Sequence, residues 1–273
     1  VLTRERVQRI GRRFEHGAVQ AAIIASLSVV IPFGMLELAA RVLTDVELVS
    51  YYVPFRTVAA DIGGFGEDWR GFHITVDRFR EPDPVLFWRP LPVAPYTTQR
   101  FKGPVVDVPK PPHVVRIIAY GDSNTDGPDQ DGWPAELQRL LDNGQGGRRR
   151  VEVLNAGVSG YSSLQGLRRF RQEVERYQPD VVLVSFGWND LPEALGKPDK
   201  DFQVSPLAPV QRALLRYRFY LVLRQQLTAA PPATAGTEPR VSLPDYAKNL
   251  AAFGEEGKRH GATVVLLTRP HRA

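Results

Sequence analysis

Three short polar stretches carry residues able to act together on an ester. They are Gly121-Asp122-Ser123-Asn124-Thr125, Gly157-Val158-Ser159-Gly160-Tyr161-Ser162-Ser163 and Gly187-Trp188-Asn189-Asp190. Acyl transfer to a serine needs a nucleophile, donors aimed at the developing oxyanion and a general base. Ser123 offers the hydroxyl. Its own N–H, the N–H of Gly160 in a turn where backbone can approach closely, and the side-chain amide of Asn189 offer the donors. Asp122, Asn124 and Asp190 read as turn caps, because Asp and Asn readily bond their own backbone. Ser159 is one residue short of a G-x-S-x-G elbow, and no G-x-x-x-x-G-K-[ST] loop exists to cradle a phosphate. With no cysteine, disulfides, thiolate metal sites and cysteine nucleophiles are excluded together.

Each stretch follows an apolar run that reads as a buried strand: 114–120, 151–156 and 181–186. Helical patterns over 133–141, 165–177 and 209–227 alternate with them. Residues 228–239, rich in Ala, Pro and Thr, read as a flexible loop. Ser242 is placed to cap a helix that runs to about His260, Gly261 stops it, and 263–268 is a fourth strand. In a parallel sheet the carboxyl ends of neighbouring strands lie side by side, so the three polar turns are expected to converge on one crevice.

The first 112 residues differ in character. Residues 1–18 hold three of the five net positive charges, and Ala21 to Leu36 is free of charge. Extended through Leu43, that run reaches the roughly 20 residues a spanning helix needs. No small-residue cleavage site closes it, so it reads as an uncleaved anchor rather than a signal peptide. The basic flank predicts a single pass with the N-terminus cytoplasmic and the remainder exported. Residues 44–112 read as a small juxtamembrane β-rich region with a linker, including β-like 71–76 and an extended 83–90, and Pro109-Lys110-Pro111-Pro112 marks the boundary. A pI near 9.5 raises the question of nucleic acid, but Arg148-Arg149-Arg150 has no interleaved aromatics to stack bases. It reads as a solvated loop, and no nucleic-acid partner is expected. Oligomeric state is not legible.

The three turns resemble the first three blocks of the SGNH (GDSL-type) hydrolase superfamily, here GDSNT, NAGVSGYSS and GWND. The resemblance covers about 113–273 and extends, less specifically, to membrane-anchored bacterial members. It implies a flavodoxin-like three-layer α/β/α sandwich, with Ser123 as nucleophile and Gly160 and Asn189 as oxyanion donors. The implied chemistry is ester hydrolysis through an acyl-enzyme without metal or organic cofactor. Carbohydrate or lipid esters, acetyl esters above all, are the implied substrates, with acetyl transfer to glycan as the near alternative and a non-catalytic tethered binding module as the distant one. The implied site is the outer face of a bacterial cytoplasmic membrane.

The family's fourth element, an Asp-x-x-His after a fifth strand, is absent. The histidines are His16, His73, His113, His260 and His271, and the residue three before His271 is Thr268. The expectation is therefore an incomplete core over 113–273, missing its last strand, helix and base, and nearly inactive as written.

Overall fold

The computed structural model describes residues 4–44, 80–127, 132–144, 150–191, 193–195, 198–201, 206–214, 216–227 and 235–268. The expected β-like segment 71–76 and His271 lie outside them. A 40-residue helix, α1 (Arg4–Leu43), comes first. Within it Gly17–Leu43 is long and apolar enough to cross a membrane, and its most apolar window has no buried residue. A hairpin follows, β1 (Arg80–Asp83) and β2 (Phe87–Pro90). The expected extended run is thus two strands about a tight turn, held by the Asp83 carboxylate, which accepts from the N–H groups of Val85 and Leu86 at 2.9 Å each.

The α/β domain runs β3 (Val114–Gly121), α2 (Ser123–Asp126), α3 (Trp133–Gly144), β4 (Arg150–Asn155), α4 (Ser163–Tyr177) and β5 (Val181–Ser185). After β5 come β6 (Glu193–Leu195), a 3-10 turn (Asp199–Asp201), α5 (Ala208–Leu214), α6 (Arg218–Leu227), β7 (Ala235–Pro239), α7 (Leu243–Arg259) and β8 (Thr263–Leu266). Four parallel strands form the main sheet in the order β4-β3-β5-β8. α4 and α7 pack on each other and α3 packs on β4. With the right-handed crossovers that parallel strands follow, this order sets α3 on one face and α4 with α7 on the other. β3 and β5, inside the sheet, are mostly buried, while β8 at its border is largely exposed.

The core explains why these segments fold where they do. Tyr120, Phe170 and Phe253 meet ring to ring, with Phe170 stacked on Phe253 at 5.3 Å. Gly166 lets α4 press onto β5, since a Cβ there would stand 2.1 Å from the Phe186 ring. The hairpin belongs to the same core. Trp88 is 1% exposed and packs edge-on against Tyr161, whose hydroxyl donates to the Trp88 carbonyl. Gln165 and Arg168 of α4 donate to the carbonyls of Leu86 and Val85.

Two expectations need correction. Residues 235–239, read as loop, form β7 and pair antiparallel with β6; the partner lies some forty residues away, and Ala-Gly-Thr gives no local strand signal. The single helix expected over 209–227 is two, α5 and α6, because the start of α6 is capped from outside its own sequence, by Glu37 of α1. The Ser242 cap and the Gly261 stop are as expected: Ser242 accepts from the N–H of Asp245, and Gly261 has φ +73°.

Trp88→Ala should lower stability to unfolding by about 3–5 kcal/mol, as for a buried large-to-small change. Chemical denaturation followed by circular dichroism checks this, and a loss under about 0.5 kcal/mol, the usual surface value, would mean the hairpin is not part of the core.

Candidate active site

The first polar turn is shaped by close approach. Gly121 ends β3, and a Cβ on it would stand 2.0 Å from the Thr125 hydroxyl and 2.7 Å from the Ser185 carbonyl oxygen. Asp122, fully buried, caps α2 by accepting from the backbone and side-chain N–H groups of Asn124, both at 3.0 Å. Ser123 is therefore the first residue of a helical turn and is exposed at the carboxyl edge of the sheet. Its N–H is among those that have no partner within the helix.

The second turn is locked onto the first. Val158 donates its N–H to the Gly121 carbonyl at 3.0 Å. A Cβ at Gly157 would stand 2.3 Å from the Asp126 nitrogen, so the two backbones meet directly. Asn155, at the end of β4, donates to the carbonyls of Thr125 and Asp126 and accepts from the Gly157 N–H. The Asp126 carboxylate gathers the Tyr96 hydroxyl at 2.8 Å, the Lys102 ammonium at 2.8 Å, and the N–H and hydroxyl of Ser159 at 3.1 and 2.6 Å. Ser159 thus has a carboxylate partner. Gly160 takes φ +84°, a left-handed conformation suited to glycine.

The third turn joins the second. The Asn189 side-chain amide donates to the Tyr161 carbonyl at 3.2 Å. An amide nitrogen carries two hydrogens, so this bond orients the side chain while leaving a second N–H for another acceptor. Asp190, 2% exposed, accepts from the N–H and hydroxyl of Ser163 and so caps α4. Asn249 of α7 donates to the same hydroxyl at 2.9 Å. Burial pushes the Asp190 carboxyl up to about 6, against the bonds from Ser163 and the charge of Arg240. Trp188 and Leu191, on either side of Asn189 and Asp190, are exposed and give this rim an apolar surface.

One buried cation fastens the second and third turns together. The Arg240 guanidinium has no exposed surface. It donates to the Gly160 carbonyl at 2.9 Å, the Asn189 carbonyl at 3.2 Å, the Gln165 side chain at 2.7 Å and the two Asp199 carboxylate oxygens at 3.1 and 2.9 Å. Guanidinium has five N–H donors, and all five are used here; the three of a lysine would not suffice. Asp199 in turn accepts from the hydroxyl of Ser162, the residue that caps α4. Sequence reading gave Arg240 and Asp199 no role. They are a lone arginine and a lone aspartate 41 residues apart, with no motif around them, and only the fold joins them.

The structure therefore brings Ser123, Gly160 and Asn189 to one edge of the sheet on turns that are bonded to each other. The turn cap expected at Asp122 is present, with Asn124 as its donor rather than a cap. Asp190 bonds not its own turn but Ser163 at the start of α4, 27 residues away, because the fold brings that helix end against it. Of the histidines, His113 precedes β3 and His260 follows α7, beside Glu256 at 3.3 Å. Both stand at the amino edge, opposite the three turns. Among the described residues no group of three or more His, Cys, Asp or Glu is placed to hold a metal ion.

Comparison with known proteins decides the family. The model of the GDSL-like lipase/acylhydrolase family matches residues 119–273. The chain belongs to that family. Among curated relatives of this GDSL-like chain is the uncharacterized lipoprotein YqeF of Bacillus subtilis (strain 168), 26% identical over 56% of this chain and 47% of that protein. An arylesterase of Vibrio mimicus is 35% identical over 28% of this chain and 38% of its own. The GDSL-like chain thus spans less than half the length of these relatives. Similar solved structures include TesA (24% identical, 56% of this chain and 60% of that one, TM-score 0.35). Another is AlinE4, an SGNH-hydrolase family esterase (21%, 56% and 75%, TM-score 0.26). A third is a catalytic mutant of Axe2, an acetylxylan esterase from Geobacillus stearothermophilus (17%, 56% and 58%, TM-score 0.33).

The raised Asp190 gives a pH signature. The native state holds this proton more tightly than the unfolded chain, so its contribution is fully present below about pH 4 and is lost as pH rises through about 6. Asp190→Asn should remove that loss. Its unfolding free energy relative to the parent should rise between pH 4 and 7, by at most about 3 kcal/mol; a difference that is flat with pH would contradict the assignment.

Proposed function

We propose that this GDSL-like chain is a serine ester hydrolase in which the Ser123 hydroxyl attacks the acyl carbon. The single observation that carries the reading is the bonding of three polar turns, bearing Ser123, Gly160 and Asn189, into one carboxyl-edge site of a family member. The oxyanion that forms is held by the N–H groups of Ser123 and Gly160 and the second amide hydrogen of Asn189. Collapse of the tetrahedral species expels the alcohol and leaves an acyl-Ser123, which water then cleaves. Each donor acts where charge develops, which is where a fixed dipole contributes most.

The general base comes from outside the described residues, since His113 and His260 face the wrong edge of the sheet. In the full proposal a fifth strand extends the sheet beyond β8, completing a flavodoxin-like sandwich, and brings an aspartate and histidine to Ser123. The domain plan is a basic cytoplasmic segment (1–18), an uncleaved anchor (19–43), a juxtamembrane region (44–112) and an exported hydrolase core (113–273). The substrates are acyl esters, acetyl esters of carbohydrate foremost, reached outside the cytoplasmic membrane.

Hydrolysis of p-nitrophenyl acetate by the natural protein in its membranes tests the reading. Ser123→Ala should abolish turnover, and Asn189→Ala should lower kcat about 10²–10³-fold, the usual cost of an oxyanion donor. Activity that survives Ser123→Ala would overturn it. The 273-residue polypeptide alone should be nearly inactive, and strong Ser123-dependent turnover by it would put the base within these residues. Partition of the acetyl group between water and added glycan separates hydrolysis from transfer.

A further inference from the structure

Of the two helices inserted between β6 and β7, α6 packs on α1, and the contact is reciprocal. The Glu37 carboxylate accepts from the N–H groups of Arg218 and Phe219, at 3.2 and 2.9 Å, and so caps the start of α6. In return the Arg218 guanidinium donates to the carbonyls of Arg41 and Thr44, at 3.0 and 2.8 Å, where α1 runs out of partners for its last carbonyls. Phe33 stands edge-on to the rings of Tyr217 and Phe219, at 5.0 and 6.1 Å.

These contacts fix a depth. Residues 17–36 carry no charge, and Glu37 is the first charged residue beyond them. Phe33 lies one helical turn inside Glu37, about 6 Å along the axis. Whatever medium surrounds α1 at Phe33 and Glu37 therefore also meets Tyr217 and the first turn of α6. The insertion has the composition for a bilayer boundary. Val210 and Leu223 are exposed apolar residues on α5 and α6, three aromatic residues lie at 217, 219 and 220, and Arg216 and Arg218 supply positive charge. Aromatic and basic residues are enriched where headgroups meet acyl chains, and a helix lying there buries its apolar face by about 5–10 Å. Glu37 also gains a reason for its place, since a carboxylate at the margin of an apolar helix needs partners and finds two backbone N–H groups and Arg41.

We propose that α5 and α6 lie in the headgroup–acyl boundary of the outer leaflet, beside α1, as a second membrane contact that holds the α/β domain against the bilayer. This rests on the reading of α1 as an uncleaved anchor. The occupant of the exposed face is lipid, because the contact at Phe33 puts the insertion at the level of the anchor's own outer end.

These 273 residues hold no cysteine, so a cysteine introduced among them, with any outside them replaced by serine, reports one position of the natural protein. Leu223→Cys, Val210→Cys, Val29→Cys in α1 and Val105→Cys in the α/β domain replace exposed residues. Each is labelled with the fluorophore NBD and reconstituted in vesicles of phosphatidylethanolamine and phosphatidylglycerol. Labels at 223 and 210 should show blue-shifted emission and be quenched by lipid bearing a doxyl group near the headgroup. The label at 29 should be quenched by lipid doxylated deep in the acyl chain, and that at 105 by aqueous iodide alone. If 29 responds to lipid while 223 and 210 respond only to iodide, the boundary placement is overturned and the anchor stands. If 29 itself is quenched by iodide and not by lipid, the anchor reading falls and this inference with it.

Discussion

A guanidinium without exposed surface, facing five oxygens, is the constraint on which the carboxyl edge of the sheet depends. Moving Arg240 out of water costs several kcal/mol, and the carboxylate of Asp199 adds its own penalty. Those costs are offset only where every donor is used, and at Arg240 the remaining donors go to backbone carbonyls of the two turns that bear Gly160 and Asn189. The charge pair therefore does more than balance itself. It fixes the separation and orientation of two backbone segments whose own local preferences, at a left-handed glycine and after a Gly-Trp pair, would leave them free. A second buried pair, Lys102 with Asp126, holds the other boundary, between the first turn and the second. Arrangements of this kind add little to net stability but penalise any shift of one element against another.

What was legible in the sequence follows from the range of the interactions. The sheet strands from 114 to 185 announce themselves by continuous apolar residues, because both faces are covered. The turns were legible because Ser123, Gly160 and Asn189 sit directly after those strands, so local sequence fixes their edge of the sheet. Caps were legible for the same reason: Asp122 and Ser242 bond residues two or three positions on. Arg240 and Asp199 were not legible, since nothing nearby distinguishes them from any other arginine and aspartate. Nor was β7, whose partner is remote, nor the break before α6, whose cap is supplied by Glu37 across 181 residues. The hairpin at 80–90 shows the same limit. Its prolines signal extended chain correctly, but only the tertiary fold reveals Trp88 under α4.

The two edges of the sheet are built for different work. At the amino edge, Arg116 is buried against Glu152 and the carbonyls of Tyr177 and Asp107, and His113 and His260 lie nearby in sequence to strand starts. Those contacts close the domain. At the carboxyl edge Gly121 and Gly157 let backbones meet where a Cβ would clash, and Gly160 takes a left-handed conformation. In the proposed function, a nucleophile and an anion site on turns held this firmly need little rearrangement as charge develops, which is the condition under which fixed dipoles lower a barrier most.

The most direct measurement is the site of covalent capture. The natural protein in its membranes is treated with a fluorophosphonate, which phosphonylates an activated serine, and the adduct is located by peptide mass spectrometry. The account predicts a single adduct on Ser123. An adduct on Ser159, which Asp126 already engages, or no serine adduct at all, would contradict it.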